Sequence, residues 1–176
     1  MGEVRLVVDH MKLEYKGIFS TREMFRMFTR WFKENPFEKG ADYISEQHTS
    51  HGKCIEYVYW PWYKLSDFMR KYMKIRILIY DLKKVDIVVD GRKKTMDHAK
   101  IIIYIDGFME TDYEHRWGNA PMLIFIRTLY AKFIYKRYTK FFEKVIVDDC
   151  NGLYTHFETF FNMYKSYVPV KEAPYF

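Results

Sequence analysis

The residue pattern predicts an α+β fold, with an antiparallel sheet of about 5–7 strands packed against a long C-terminal helix and a short helix after the first strand. Three observations carry that expectation. An amphipathic helix with legible start and stop signals follows the first alternating segment. From Ala41 to about Tyr113 short alternating runs are joined by turns, with no crossover helix between them. From Pro121 to about Tyr167 the apolar period becomes that of a helix.

The first strand is read from Met11, Leu13 and Tyr15, which alternate with Lys12, Glu14 and Lys16. That period of two marks a half-buried strand. Val4, Leu6 and Val8 extend it forward, with the phase slipping by one residue near His10. Ser20 stands three residues before Glu23, the spacing of a capping box, and Phe19 with Met24 sit at the positions of a hydrophobic staple. Met24, Phe25, Met27, Phe28, Trp31 and Phe32 give the helix one broad apolar face, and Arg22, Arg26, Arg30 and Lys33 lie elsewhere on it. Asn35-Pro36 ends it, because the residue before proline resists the helical region.

Tyr43 to Thr49, a Ser50-His51-Gly52 turn, and Cys54 to Trp60 read as a hairpin, and Pro61 marks an edge or a bend. In the next run Met73, Ile75, Ile77 and Ile79 share one face, while Tyr72, Lys74, Arg76 and Tyr80 share the other. Val85 to Val89 is a further strand, closed by the hairpin signal Asp90-Gly91, and Ile101, Ile103 and Ile105 form the returning strand, ending near Gly107. Without crossover helices the strands are antiparallel. Asn119 and Pro121 start a long helix. Its apolar stripe is Leu123, Tyr130, Ile134, Phe141 and Val145, and Asp148 to Gly152 should kink or break it before a second helical pattern from Leu153. Residues 1–168 are expected to form a single domain, and residues 169–176, with Pro169 and Pro174, an extended tail.

The element order is similar to that of START-like, helix-grip proteins. That resemblance covers most of the chain and implies an apolar ligand held between sheet and C-terminal helix. Arg127, Tyr130 and Ile134 are the residues through which such a carrier would hold it.

Composition bounds the chemistry. Of 176 residues 49% are hydrophobic and 20% aromatic, so the chain has the apolar surface that a disordered polymer lacks. Sixteen Tyr, fifteen Phe and four Trp exceed what one core needs, leaving rings for a cavity, a dimer seam or a stacking surface. The net charge of +6 and a pI of about 9.1 are compatible with a polyanionic partner. One glutamine among many Lys, Glu and Tyr resembles the residue usage of heat-adapted proteins, which makes a high pI less diagnostic. The two cysteines make no disulfide framework, and neither a signal peptide nor a membrane-spanning run is read, so a cytoplasmic protein is expected.

No catalytic motif emerges. His48, His51 and Cys54 lie on a strand and hairpin, where they need not face the same way, and read as a polar turn rather than a metal site. Asp148, Asp149, Cys150 and His156 lack a nucleophile-and-base spacing. Neither metal nor cofactor is expected.

The remaining signal is basic. Lys132, Lys136, Lys140 and Lys144 recur every fourth residue with Arg137 beside them, a like-charged ridge that costs a few tenths of a kcal/mol per pair unless an anion meets it. Arg92, Lys93 and Lys94 form a second cluster, and Lys74 and Arg76 interleave with Tyr72 and Tyr80 on a strand face. Rings stack on exposed bases and cations neutralise phosphates. The expectation is therefore a non-enzymatic protein that docks RNA or a ribonucleoprotein, such as a ribosomal subunit, as a homodimer. Phe125, Leu129 and Phe133 make a second apolar stripe, read either as buried under neighbouring chain or as the dimer contact.

Overall fold

The computed structural model describes residues 3–50, 52–66, 69–89, 92–111 and 136–166. Strand β1 (Glu3–Phe19) leads into helix α1 (Thr21–Glu34). Strands β2 (Asp42–Thr49), β3 (Gly52–Tyr59), β4 (Trp62–Lys64), β5 (Met69–Val89) and β6 (Arg92–Thr111) follow, and helix α2 (Lys136–Tyr164) comes last. The strands form one antiparallel sheet in the order β1-β6-β5-β3-β2, with the short β4 beside β5. Both helices among the described residues cover one face of that sheet, which is the α+β arrangement the residue pattern predicts.

Helix α1 starts where its capping signals lie. The Ser20 hydroxyl accepts from Glu23 N–H at 3.3 Å, and the staple pair Phe19 and Met24 is fully buried. The Glu23 carboxylate does not close the box; it accepts from the Tyr164 hydroxyl and so ties the start of α1 to the end of α2. The slip of phase near His10 is real: β1 has register shifts on both sides of Val8, and His10 has φ 48°.

Strand β5 exceeds its expected length. It runs unbroken past Tyr80, because an irregularity between Tyr80 and Lys83, with Asp81 at φ 55°, absorbs the phase change that reads as a gap in the sequence. Strand β4, just after Pro61, was too short for any periodicity to show.

The larger correction concerns α2. Asp148 to Gly152 does not break it; the helix is continuous from Lys136 to Tyr164. A mid-helix glycine costs about 1 kcal/mol relative to alanine. Here tertiary contacts outweigh it: Cys150 and Leu153 are fully buried, and the Trp31 ring lies 3.7 Å from where a Cβ of Gly152 would stand. The buried stripe is accordingly Ile146, Cys150, Leu153, Phe157 and Phe161, whereas Phe141, placed on the stripe by periodicity, is 62% exposed. Pro121, the expected helix start, and the tail lie outside the described residues.

Much of the aromatic surplus goes into the helix-facing core. Phe28 meets Tyr57, Tyr59, Phe32 and Phe157, and Tyr15 stacks on Phe161 at 4.7 Å between centroids. Beneath them Ile75, Ile77, Ile101, Ile103 and Ile105 are completely buried.

Asp97 on β6 holds α1 from across the sheet. It is 5% exposed, accepts from Thr21 N–H at 2.9 Å and meets Lys84 Nζ at 2.6 Å. Burial opposes the charge, but Lys84 and the Thr21 N–H outweigh it and hold the carboxyl below the usual carboxylate range. A depressed carboxyl contributes stability above its unfolded pKa, and that stability disappears as pH falls through the folded value. Asp97→Asn should therefore cost about 1–2 kcal/mol at neutral pH. The gap to the parent should close in thermal unfolding below about pH 4. A gap independent of pH would show that the charge is not what matters.

Candidate nucleic-acid interface

The sheet face turned away from the helices carries Lys74 and Arg76, two of the strand residues expected to bind nucleic acid, and of these Arg76 already has a carboxylate neighbour. Glu14 accepts from Lys100 and Lys12, each at 2.8 Å, and these ammonium groups pull its carboxyl down to about 2. Arg76 lies 3.7 Å from Glu56 and 5.5 Å from the Tyr104 ring centroid. Lys74 is half-buried and makes no ion pair among the described residues. Lys93 and Lys94 are exposed near the β5–β6 hairpin tip.

The C-terminal ridge is only partly in view. Lys140 and Lys144 are exposed on α2 and unpaired among the described residues. Lys136 and Arg137 belong to α2, but their side chains, like that of Arg92, are outside the described set, as is Lys132 altogether. Beyond Lys144 that side of α2 continues with Asp148, Asn151 and Thr155, so the basic strip does not extend toward the C-terminus. Phe125, Leu129 and Phe133, expected at a dimer contact, and Arg127, Tyr130 and Ile134, expected to hold a carried ligand, also lie outside the described residues.

A better-defined ridge sits on α1. Arg22, Arg26, Arg30 and Lys33 are all exposed. At about 100° per residue they fall within an arc of roughly 80°, opposite the buried Met24, Phe28, Trp31 and Phe32. At 1.5 Å per residue the strip is about 16 Å long. The four cations, with Phe25 and Thr29, border an open hollow of about 610 Å³. Among the described residues no carboxylate pairs with any of the four cations. Glu23, three residues before Arg26, is engaged by Tyr164, and Glu34, four after Arg30, makes no ion pair with it. In the sequence these residues stand off the apolar face, with nothing but their spacing to mark them as a site. That spacing, i,i+4 through Arg22, Arg26 and Arg30 and then i,i+3 to Lys33, is the available signal.

Other donor clusters are structural in character. The register puts Cys54 opposite Gln47 and His48 opposite Lys53, so Cys54 and His48 face opposite sides of the sheet; His51 is outside the described residues. Asp106 accepts from the His10 backbone N–H at 2.7 Å, and Asp9 lies 2.6 Å from His10 Nδ1, a cluster that fastens the β1 bulge. Asp149, expected in a solvated turn, instead meets the buried Lys71 Nζ. Cys150 is completely buried, and burial, reinforced by Asp149 and Asp106, pushes its thiol up to about 12, which removes it as a nucleophile at neutral pH. His156 is exposed on another side of α2.

Along the described part of α2 the helix rests directly on the sheet. A Cβ at Gly107 of β6 would lie 2.7 Å from Ile146 Cγ2 and 2.9 Å from Cys150 Sγ. Among the described residues no helix is long and apolar enough to cross a membrane. Comparison of the chain with protein-family models, curated proteins and solved structures gives no match.

Proposed function

We propose that this is a non-enzymatic, cytoplasmic binding protein that docks RNA or a ribonucleoprotein surface, such as a ribosomal subunit, and that the Arg22–Arg26–Arg30–Lys33 ridge of α1 is its anchoring strip. The observation that supports it is the exposure of four aligned cations with no intramolecular carboxylate partner among the described residues. Stacked like charges repel, so the arrangement is stabilised when an external anion meets it. Three of the four are arginines, whose planar forks take phosphate oxygens two at a time. Lys140 and Lys144 on α2, and Lys93 and Lys94 on the hairpin, extend the basic footprint. The dimer belongs to the same proposal, with Phe125, Leu129 and Phe133 as its contact.

Binding to total cellular RNA and to purified ribosomal subunits, measured between 50 and 200 mM salt, tests this reading. Four neutralised phosphates predict a log–log salt slope of about −3 to −4, a loss of roughly a hundredfold over that range. The triple variant Arg22→Ala/Arg26→Ala/Arg30→Ala should flatten the slope by about 2 to 3 while leaving the thermal midpoint nearly unchanged. Indifference to both RNA and ribosomes, or a triple variant with the parent's slope, overturns the proposal.

A further inference from the structure

The sheet face opposite the helices carries a second arrangement, built by register rather than by sequence neighbourhood. Trp62 pairs with Tyr72, Tyr72 with Phe108, and Phe108 with Leu6, across β4, β5, β6 and β1. Residues directly opposite one another in neighbouring strands share a face. The four therefore make one apolar row, about 14 Å long at a strand spacing of roughly 4.8 Å. The Tyr72 and Phe108 rings are stacked, 4.8 Å between centroids and 8° from parallel. None of the four is buried, and Leu6 is 45% exposed.

The surroundings of the row are polar in a particular way. In the adjoining row Arg70 Nε bonds Glu110 Oε2 at 2.7 Å. Beside them an open hollow of about 490 Å³ is lined by Lys39, Trp60, Trp62, Arg70, Tyr72 and Glu110. Lys39 is exposed and forms no ion pair among the described residues; Lys74, two residues past Tyr72 on the same face, stands opposite Asp106 in the register but forms no ion pair with it. Flat rings and Lys39 in the hollow, with Lys74 one step along the strand face, are complementary to a planar ring joined to a negative charge. An apolar peptide would leave Lys39 and Lys74 unmatched, and a neutral sugar would not use them. A duplex hides the faces of its bases and offers nothing to stack.

We infer that the Trp62–Tyr72–Phe108 row, with Lys39 and Lys74 beside it, is a stacking site for unpaired nucleotides, so that the RNA this protein takes is single-stranded at this face. The inference rests on the RNA-docking reading for its ligand. It does not share the α1 ridge, because α1 covers the other side of the sheet. The two surfaces engage separate stretches of one RNA or ribonucleoprotein.

Fluorescence anisotropy with a labelled single-stranded oligoribonucleotide, its duplex of equal length, and heparin as a polyanion without bases separates the two ideas. The full chain should prefer the single strand. Tyr72→Ala should weaken single-strand binding by roughly 5- to 150-fold, the loss of one stacked base, and leave heparin binding unchanged. Tyr72→Phe should restore most of it, and Trp62→Ala, at the β4 end of the row, repeats the test should Tyr72→Ala unfold. The α1 triple variant should weaken all three ligands. If single strand and duplex bind equally and both ring variants bind like the parent, this inference is overturned while salt-dependent docking through α1 stands. If no RNA form binds at all, both fall.

Discussion

Replacing Lys71 by methionine should lower the stability of the fold by about 3–5 kcal/mol, the penalty for leaving one member of a buried ion pair alone. Lys71 lies on the helix-facing side of β5 and is only 3% exposed. Its ammonium is 2.5 Å from Asp149 Oδ2 and lies over the rings of Phe37, at 4.6 Å, and Tyr63, at 5.4 Å. One side chain thus connects β5, β4, α2 and the segment that follows α1. Burial pushes the Asp149 carboxyl above the usual carboxylate range, and Lys71 pulls it back part of the way. In Lys71→Met burial and the neighbouring Asp148 charge remain, so the carboxyl rises further. A raised carboxyl destabilises the fold above its own pKa and stops doing so once protonated. The deficit of the variant should therefore shrink as pH falls through that value. Asp149→Leu should cost a similar amount by stranding the ammonium. Lys71→Met/Asp149→Leu should return to within about 1–2 kcal/mol of the parent, since apolar replacement of a whole buried pair is often neutral. Urea midpoints at constant m-value measure all three. Single variants that each cost under about 1 kcal/mol would mean that the pair is solvated.

Where local chemistry dictates local structure, this chain is legible. Ser20, Phe19 and Met24 start α1 as their types require, Asn35-Pro36 ends it, and the alternation of Met73 to Ile79 reports its buried face correctly. Even the β1 bulge is announced by the phase slip at His10. Legibility fails where distant partners decide. Asp148 to Gly152 has the composition of a break, and stays helical because Lys71, 78 residues away, takes Asp149 and because Cys150 is held against the sheet. The candidate interfaces divide the same way. The α1 ridge could be counted on a helical wheel, but spacing cannot say whether each cation has a carboxylate of its own. That Glu23 is diverted to Tyr164 emerges only when α1 and α2 meet. The Trp62–Tyr72–Phe108–Leu6 row has no sequence signature at all, since four strands in register create it.

Gly107→Ala should destabilise by about 1–3 kcal/mol, more than a surface glycine substitution, through overpacking at the helix–sheet contact. The new methyl would meet Ile146 Cγ2 at 2.7 Å and Cys150 Sγ at 2.9 Å, closer than Cβ atoms are found to any neighbour. Neither partner yields easily. The isoleucine methyl is fixed by β-branching, and the cysteine sulfur is one bond from its Cβ. Helix α2 must therefore lift from β6 or shift along it. Arg5, paired with Glu143 one turn earlier, resists that motion only weakly, because its own side chain is 58% exposed. Cys150→Ala opens space under the same methyl, so Gly107→Ala/Cys150→Ala should be less unstable than the sum of its parts by about 1 kcal/mol in a double-mutant cycle. The experiment also bears on function. A chain that accepts Gly107→Ala at no cost has a helix able to rise from its sheet, and that room is what a carrier of apolar molecules needs. A chain that pays the full penalty keeps α2 seated here, and leaves the exterior, with α1 and the opposite sheet face, as the surface through which it works.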